Sequence, residues 1–87
     1  MDKNKPLTYY VLLSEYDTNA RLRAKRFLLK HEFVQLSIQL FALYAVTETS
    51  IWDNLVRLLY QLQLNNVDFE LIETTTHRRE SFVGRPR

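Results

Sequence analysis

The stretch Tyr9-Tyr10-Val11-Leu12-Leu13-Ser14-Glu15-Tyr16-Asp17 decides the reading of this chain, because it joins an unbroken run of β-formers to a residue that caps helices. Tyr9 to Leu13 has no polar alternate, the pattern of a central strand covered on both faces. Ser14 to Asp17 bring polarity to its C-terminal end, where α/β arrangements expose functional side chains. Asp17, Thr18 and Asn19 are all good N-caps, which predicts a helix over 19–32. At about 100° per residue, Ala20, Ala24, Phe27, Leu28 and His31 form an apolar stripe that packs on the sheet. Leu22 and Leu29 fall nearly opposite, as either ordinary surface leucines or a partner contact. Between the stripes stand Arg21, Arg23, Lys25, Arg26 and Lys30, so residues 20–31 hold five cations and no acid. That density reads as a positive surface for nucleic acid, against the plainer reading of a solvated helix face.

Outward from this core, Val34, Leu36, Ile38 and Leu40 alternate with Gln35, Ser37 and Gln39, which predicts a strand with one buried and one polar face. The strand-like stretch continues to Ala45 without Gly, Pro, Asn or Asp to place a turn, and a break is expected over 39–42. Thr49 or Ser50 can cap a second helix, with Ser50 and Asp53 spaced as a capping box. Its inward stripe is Ile51, Leu55, Leu58, Leu59 and Leu62, widened by Trp52 and Val56, and Asn65-Asn66 ends it. Val67, Phe69 and Leu71 then alternate with Asp68 and Glu70 in a strand ending near Thr74. The expected fold class is α+β: a ferredoxin-like sandwich, two helices on one face of a mainly antiparallel sheet, ordered βαββαβ with room for an extra C-terminal strand.

This divides the chain into a lead-in over 1–7, a domain over 8–76 and a basic segment over 77–87. In that segment Ser81-Phe82-Val83 suits a short strand, with two readings open. It is a disordered tail, or a strand that crosses to a partner's open sheet edge, placing Phe82, Val83 and Arg85 in partner binding.

With 87 residues, 46% hydrophobic, the chain suffices for one small core, for which a homodimer is a reasonable source of further stability. The absence of cysteine excludes disulfides, thiolate metal sites and a cysteine nucleophile. The polar start and the short longest apolar run, Leu40 to Val46, predict a cytoplasmic protein with no membrane span. Net charge is only +2, so the distribution carries the argument. Residues 48–73 hold Glu48, Asp53, Asp68, Glu70 and Glu73 against Arg57 alone, and 77–87 is basic again with Arg78, Arg79, Arg85 and Arg87 against Glu80.

Three features in order, Tyr16-Asp17 closing the first strand, Arg21-Leu22-Arg23 opening the helix, and Val34-Gln35-Leu36-Ser37-Ile38, resemble the small CRISPR-associated adaptation protein family, Cas two. The likeness covers about residues 8–74, with Phe82-Val83-Gly84 echoing that family's last strand. Phe33 stands where the family carries arginine, Gln39 where it carries phenylalanine, and His31-Glu32 where a glycine usually ends the helix. The resemblance implies a prokaryotic homodimer that binds duplex prespacer DNA and bridges dimers of the CRISPR spacer integrase, the Cas one family, without a cofactor. Arg21, Arg23, Lys25, Arg26, Lys30, Arg78 and Arg79 are then the nucleic-acid-binding residues, with His77 beside the last two.

The same resemblance allows a second activity, a Mg²⁺-dependent endonuclease of DNA or RNA in which Asp17 is the catalytic residue and metal ligand. Against it, Asp17 suits a helix cap, and one carboxylate per chain supplies little coordination. A third reading, outside the family, is an RNA-binding ferredoxin-like regulatory module, although Tyr9 and Tyr10 on a buried strand make poor stacking platforms.

Overall fold

Strand β1 (Thr8–Leu13) alternates in burial although nearly all its residues are apolar: Tyr9, Val11 and Leu13 are buried, whereas Thr8, Tyr10 and Leu12 are half-buried. The computed structural model describes residues 7–14, 17–44, 50–64, 67–74 and 78–83. Within them the elements follow as β1, α1 (Thr18–Lys30), β2 (Val34–Gln35), β3 (Leu40–Tyr44), α2 (Trp52–Leu64), β4 (Phe69–Glu73) and β5 (Arg78–Phe82). All strand pairs are antiparallel, in the order β2-β3-β1-β4-β5. The fold is therefore α+β, compatible with a ferredoxin-like arrangement, and β1 is central as expected.

The expected cover on both faces of β1 is corrected. Tyr9, Val11 and Leu13 lie level with Phe41, Leu43, Glu73, Leu71 and Phe69 on one face, and these join Ala20, Ala24 and Leu28 of α1 with Trp52, Leu55, Leu59 and Leu62 of α2 in one core. Tyr10 and Leu12 lie level with Ala42, Leu40, Ile72 and Glu70 on the other face, which no helix among the described residues covers. An uninterrupted apolar strand thus belongs here to a sheet closed on one side.

Helix α1 starts where its cap directs. Asp17 accepts from Asn19 N–H through its side chain at 3.2 Å and from Arg21 N–H through its carbonyl at 3.0 Å. The helix stops without glycine. Phe33 N–H reaches the Leu28 carbonyl at 3.0 Å and Glu32 N–H the Leu29 carbonyl at 3.2 Å, the bonding of a Schellman stop. Glu32 takes the left-handed position with φ 72°, normally the place of glycine, and buried Phe33 anchors the exit.

The stretch 34–44 is not one strand. It turns over Leu36–Gln39, earlier than the expected 39–42, where Leu36 and Ser37 N–H both donate to the Leu40 carbonyl, at 2.8 and 3.1 Å. The Ser37 hydroxyl accepts from Leu40 N–H at 3.1 Å, and it stands in for the usual turn residues. The expected buried face fails with it: Val34, Leu36 and Ile38 are 48%, 47% and 67% exposed. Alternation predicts burial only while the strand stays inside the sheet, and β2 is its two-residue edge.

The C-terminal segment forms a strand longer than expected, and in this chain β5 pairs with its own β4. Phe82 stacks on Phe69 with centroids 4.7 Å apart, and the Gln63 amide donates to the Val83 carbonyl at 3.1 Å. Expectations resting on Glu15, Tyr16, Thr47, Thr49, Asn65, Asn66, His77 and Arg85 lie outside the described residues.

Candidate nucleic-acid interface

The five cations of α1 do not form one surface. At about 100° per residue, Arg23, Arg26 and Lys30 fall within about 60° of one another on the side away from the core, and all three are exposed. Arg21 and Lys25, about 40° apart, flank the core stripe on the side facing β2 and are half-buried. Leu22 and Leu29, both exposed, separate the two groups. The outer array is a row of exposed cations along one side of the helix, and the helix carries no acid to neutralise it. A cation in the first turn of a helix also opposes the positive end of its dipole, so Arg21 works against helix stability.

The other two candidate cations lie elsewhere. β5 is the far edge of the sheet from β2, four strand spacings or about 19 Å away. Arg78 and Arg79 are neighbours on a strand and point to opposite faces. Arg79 lies level with Ile72 on the uncovered face and forms an ion pair with Glu70 at 2.5 Å. Arg78 lies level with Glu73 on the helix-covered face, its guanidinium 4.6 Å from the centroid of the Trp52 ring. The candidate cations of one chain therefore lie apart, on α1 and at the β5 edge, and do not form one surface.

Of the residues read as partner contacts, Phe82 is buried in its own core and Val83 is exposed. Asp17, read as a catalytic ligand, is exposed and caps α1. Among the described residues no group of three or more His, Asp or Glu is placed to hold a metal ion. His31 packs against Phe27 with ring centroids 4.6 Å apart. No helix among the described residues is long and apolar enough to cross a membrane.

One polar cluster escaped the sequence reading. Glu73 is 1% exposed, and its carboxylate accepts from the Tyr9 hydroxyl at 2.5 Å and the Ser50 hydroxyl at 2.6 Å. The Tyr9 oxygen in turn accepts from Ile51 N–H at 2.8 Å, and the Ser50 oxygen from Trp52 N–H at 3.2 Å. The cluster ties the start of α2 to β1 and β4. Burial, and then the hydrogen bond to Glu73, push the Tyr9 hydroxyl above the usual tyrosine value of 10.0. The available signal was phase: in the alternation Val67, Phe69, Leu71, the next member is a carboxylate, which demands partners.

Compared with family models, curated proteins and solved structures, the chain gives no match in any of the three.

Proposed function

We propose that this chain is a non-catalytic subunit that holds duplex DNA by its phosphates, in the manner of a CRISPR adaptation subunit, as a homodimer of ferredoxin-like βαββαβ domains extended by β5. The observation that carries the reading is the exposed row Arg23, Arg26 and Lys30 on a helix without an acid. Exposed cations along one side of a helix meet phosphates without reading base edges, which suits DNA of any sequence. The apolar uncovered sheet face, with Tyr10, Leu12, Leu40 and Ile72, supports self-association, since burying it would enlarge a small core. In a homodimer two copies of the α1 row are available to one duplex, and the integrase of spacer acquisition is the partner that such a bridge would serve.

The test is duplex binding followed by fluorescence anisotropy across a salt series, on the intact chain and on Arg23→Ala/Arg26→Ala/Lys30→Ala. Each lost phosphate contact lowers the slope of log affinity against log salt by about 0.9. The triple variant is expected to bind at least tenfold more weakly with a shallower slope. Unchanged binding with an intact circular dichroism spectrum removes the helix from the contact. Adding Mg²⁺ and following DNA and RNA length tests the endonuclease reading. Cleavage abolished by Asp17→Ala would replace the non-catalytic conclusion, and tighter binding to RNA than to duplex DNA would favour the regulatory module.

A further inference from the structure

The inner cation pair, Arg21 and Lys25, belongs to a different feature from the outer row. Between α1 and the sheet edge lies a cleft of about 230 Å³ lined by Thr18, Arg21, Leu22, Lys25, Gln35 and Ile38. Three properties meet there. Among the described residues Arg21 Nε is buried with no hydrogen-bond acceptor, a donor whose desolvation is left uncompensated. The cleft lining, among the described residues, includes a second cation, Lys25, and no acid. Leu22 and Ile38, 43% and 67% exposed, put aliphatic surface on the same rim.

The edge beside the cleft is open to strand addition. Among the described residues β2 pairs with β3 on one side only. Leu36 N–H donates to Leu40, so the pair Gln35–Phe41 one step back is a wide pair, whose backbone groups turn outward. Gln35 therefore offers N–H and C=O to whatever lies alongside. Side chains of an added strand that point toward the helix side would enter the cleft.

The geometry points to this cleft as a docking site for an extended peptide segment of a partner protein. The segment adds to β2 as a strand and sets a carboxylate against Arg21 and Lys25 and an aliphatic side chain against Leu22 and Ile38. A carboxylate satisfies the orphaned guanidinium donor in planar, charge-assisted geometry. A nucleic-acid phosphate would also satisfy it, but would leave the aliphatic rim and the open strand edge unused. The partner is recognised by alternating acidic and aliphatic residues in an extended chain. This site uses neither Arg23, Arg26 nor Lys30, so it stands or falls apart from the duplex-binding proposal.

The test begins with a random dodecamer peptide library displayed on phage and selected on the full chain. The best peptides are then titrated into the ¹⁵N-labelled protein, with a short duplex DNA and inorganic phosphate in parallel arms. Enriched peptides are expected to carry acidic and aliphatic residues in alternation and to shift the amides of Gln35, Leu36, Ile38 and residues 18–25. Arg21→Gln/Lys25→Gln is expected to weaken peptide binding at least tenfold. Ile38→Asp, at an exposed turn position that leaves the core untouched, should do the same. Arg23→Ala/Arg26→Ala/Lys30→Ala should leave peptide binding unchanged. Selection without acidic enrichment, or peptide affinity indifferent to both cleft variants, overturns the proposal. So does a duplex or phosphate that shifts the Gln35 and Ile38 amides when no peptide does, which would assign the cleft to phosphate.

Discussion

Helices α1 and α2 are each thirteen residues long and pack into the same core, yet they do opposite work. α2 buries Trp52, Leu55, Leu59 and Leu62, large side chains that hold it to the sheet. α1 buries Ala20, Ala24 and Leu28, so two of its three anchors are methyl groups, and it carries five cations on the surface that remains. Small anchors let a helix lie close to the sheet at little gain in apolar area, and stability then rests on its caps and its neighbours. The division separates a helix that supports the fold from one that presents charge.

The largest test of that contrast is Leu59→Ala in α2. Its side chain is fully buried, and the change should cost about 3 kcal/mol by lost transfer energy and a residual cavity. A shift in urea midpoint corresponding to less than about 1 kcal/mol would show that α2 is not the dominant anchor.

Next in size is Tyr9→Phe, which leaves Ile51 N–H without its acceptor and Glu73 without one of its donors, a loss of about 2 kcal/mol. This variant also sharpens the pH behaviour. Folding raises the Tyr9 value, so the native state holds that proton more tightly than the unfolded chain. Its stabilisation is complete below the unfolded value of about 10 and is lost as pH rises through the raised folded value. Urea midpoints measured from pH 8 to pH 11 should fall above pH 10 more steeply for the natural chain than for Tyr9→Phe. Parallel curves would remove Tyr9 from the alkaline transition.

Smaller, and opposite in sign, is Glu32→Gly at the stop of α1. Removing Cβ from a left-handed residue should stabilise the protein by about 1 kcal/mol, read as a higher thermal midpoint. A lower midpoint would mean that the glutamate side chain contributes more than the backbone conformation costs. The smallest effect on stability is expected for Arg23→Ala/Arg26→Ala/Lys30→Ala, within about 0.5 kcal/mol of the natural chain. Of these exposed cations only Lys30, in the last turn, gains from the helix dipole, and at an exposed site that gain is a few tenths of a kcal/mol, so their loss should register in DNA binding and not in folding. A destabilised triple variant would return the outer row to a structural role.

The contrast between the helices was largely legible in the residues, because it is carried by side chains three and four apart on one element. The Asp17 cap, the apolar stripes of both helices, the central position of β1 and the alternation of β4 follow from such local spacing. The stretch 34–44 was misread because Val34, Leu36 and Ile38 keep a period of two whether or not a neighbouring strand and a helix exist to bury them. The turn over Leu36–Gln39 was hidden because Ser37 closes it with its hydroxyl, a weaker signal than glycine or proline.

What the amino-acid order determined by itself is the α+β class and the concentration of cations on one helix, since both are properties of neighbours along the chain. Helical spacing separates those cations into two angular groups. Tertiary structure alone left one of them exposed and set the other half-buried beside a sheet edge. It also sent Arg78 and Arg79 to the opposite edge and brought Tyr9, Ser50 and Glu73 together from three distant segments. The physical reason is that a charge's surroundings are set by which strands pair, and pairing joins residues that no local spacing relates.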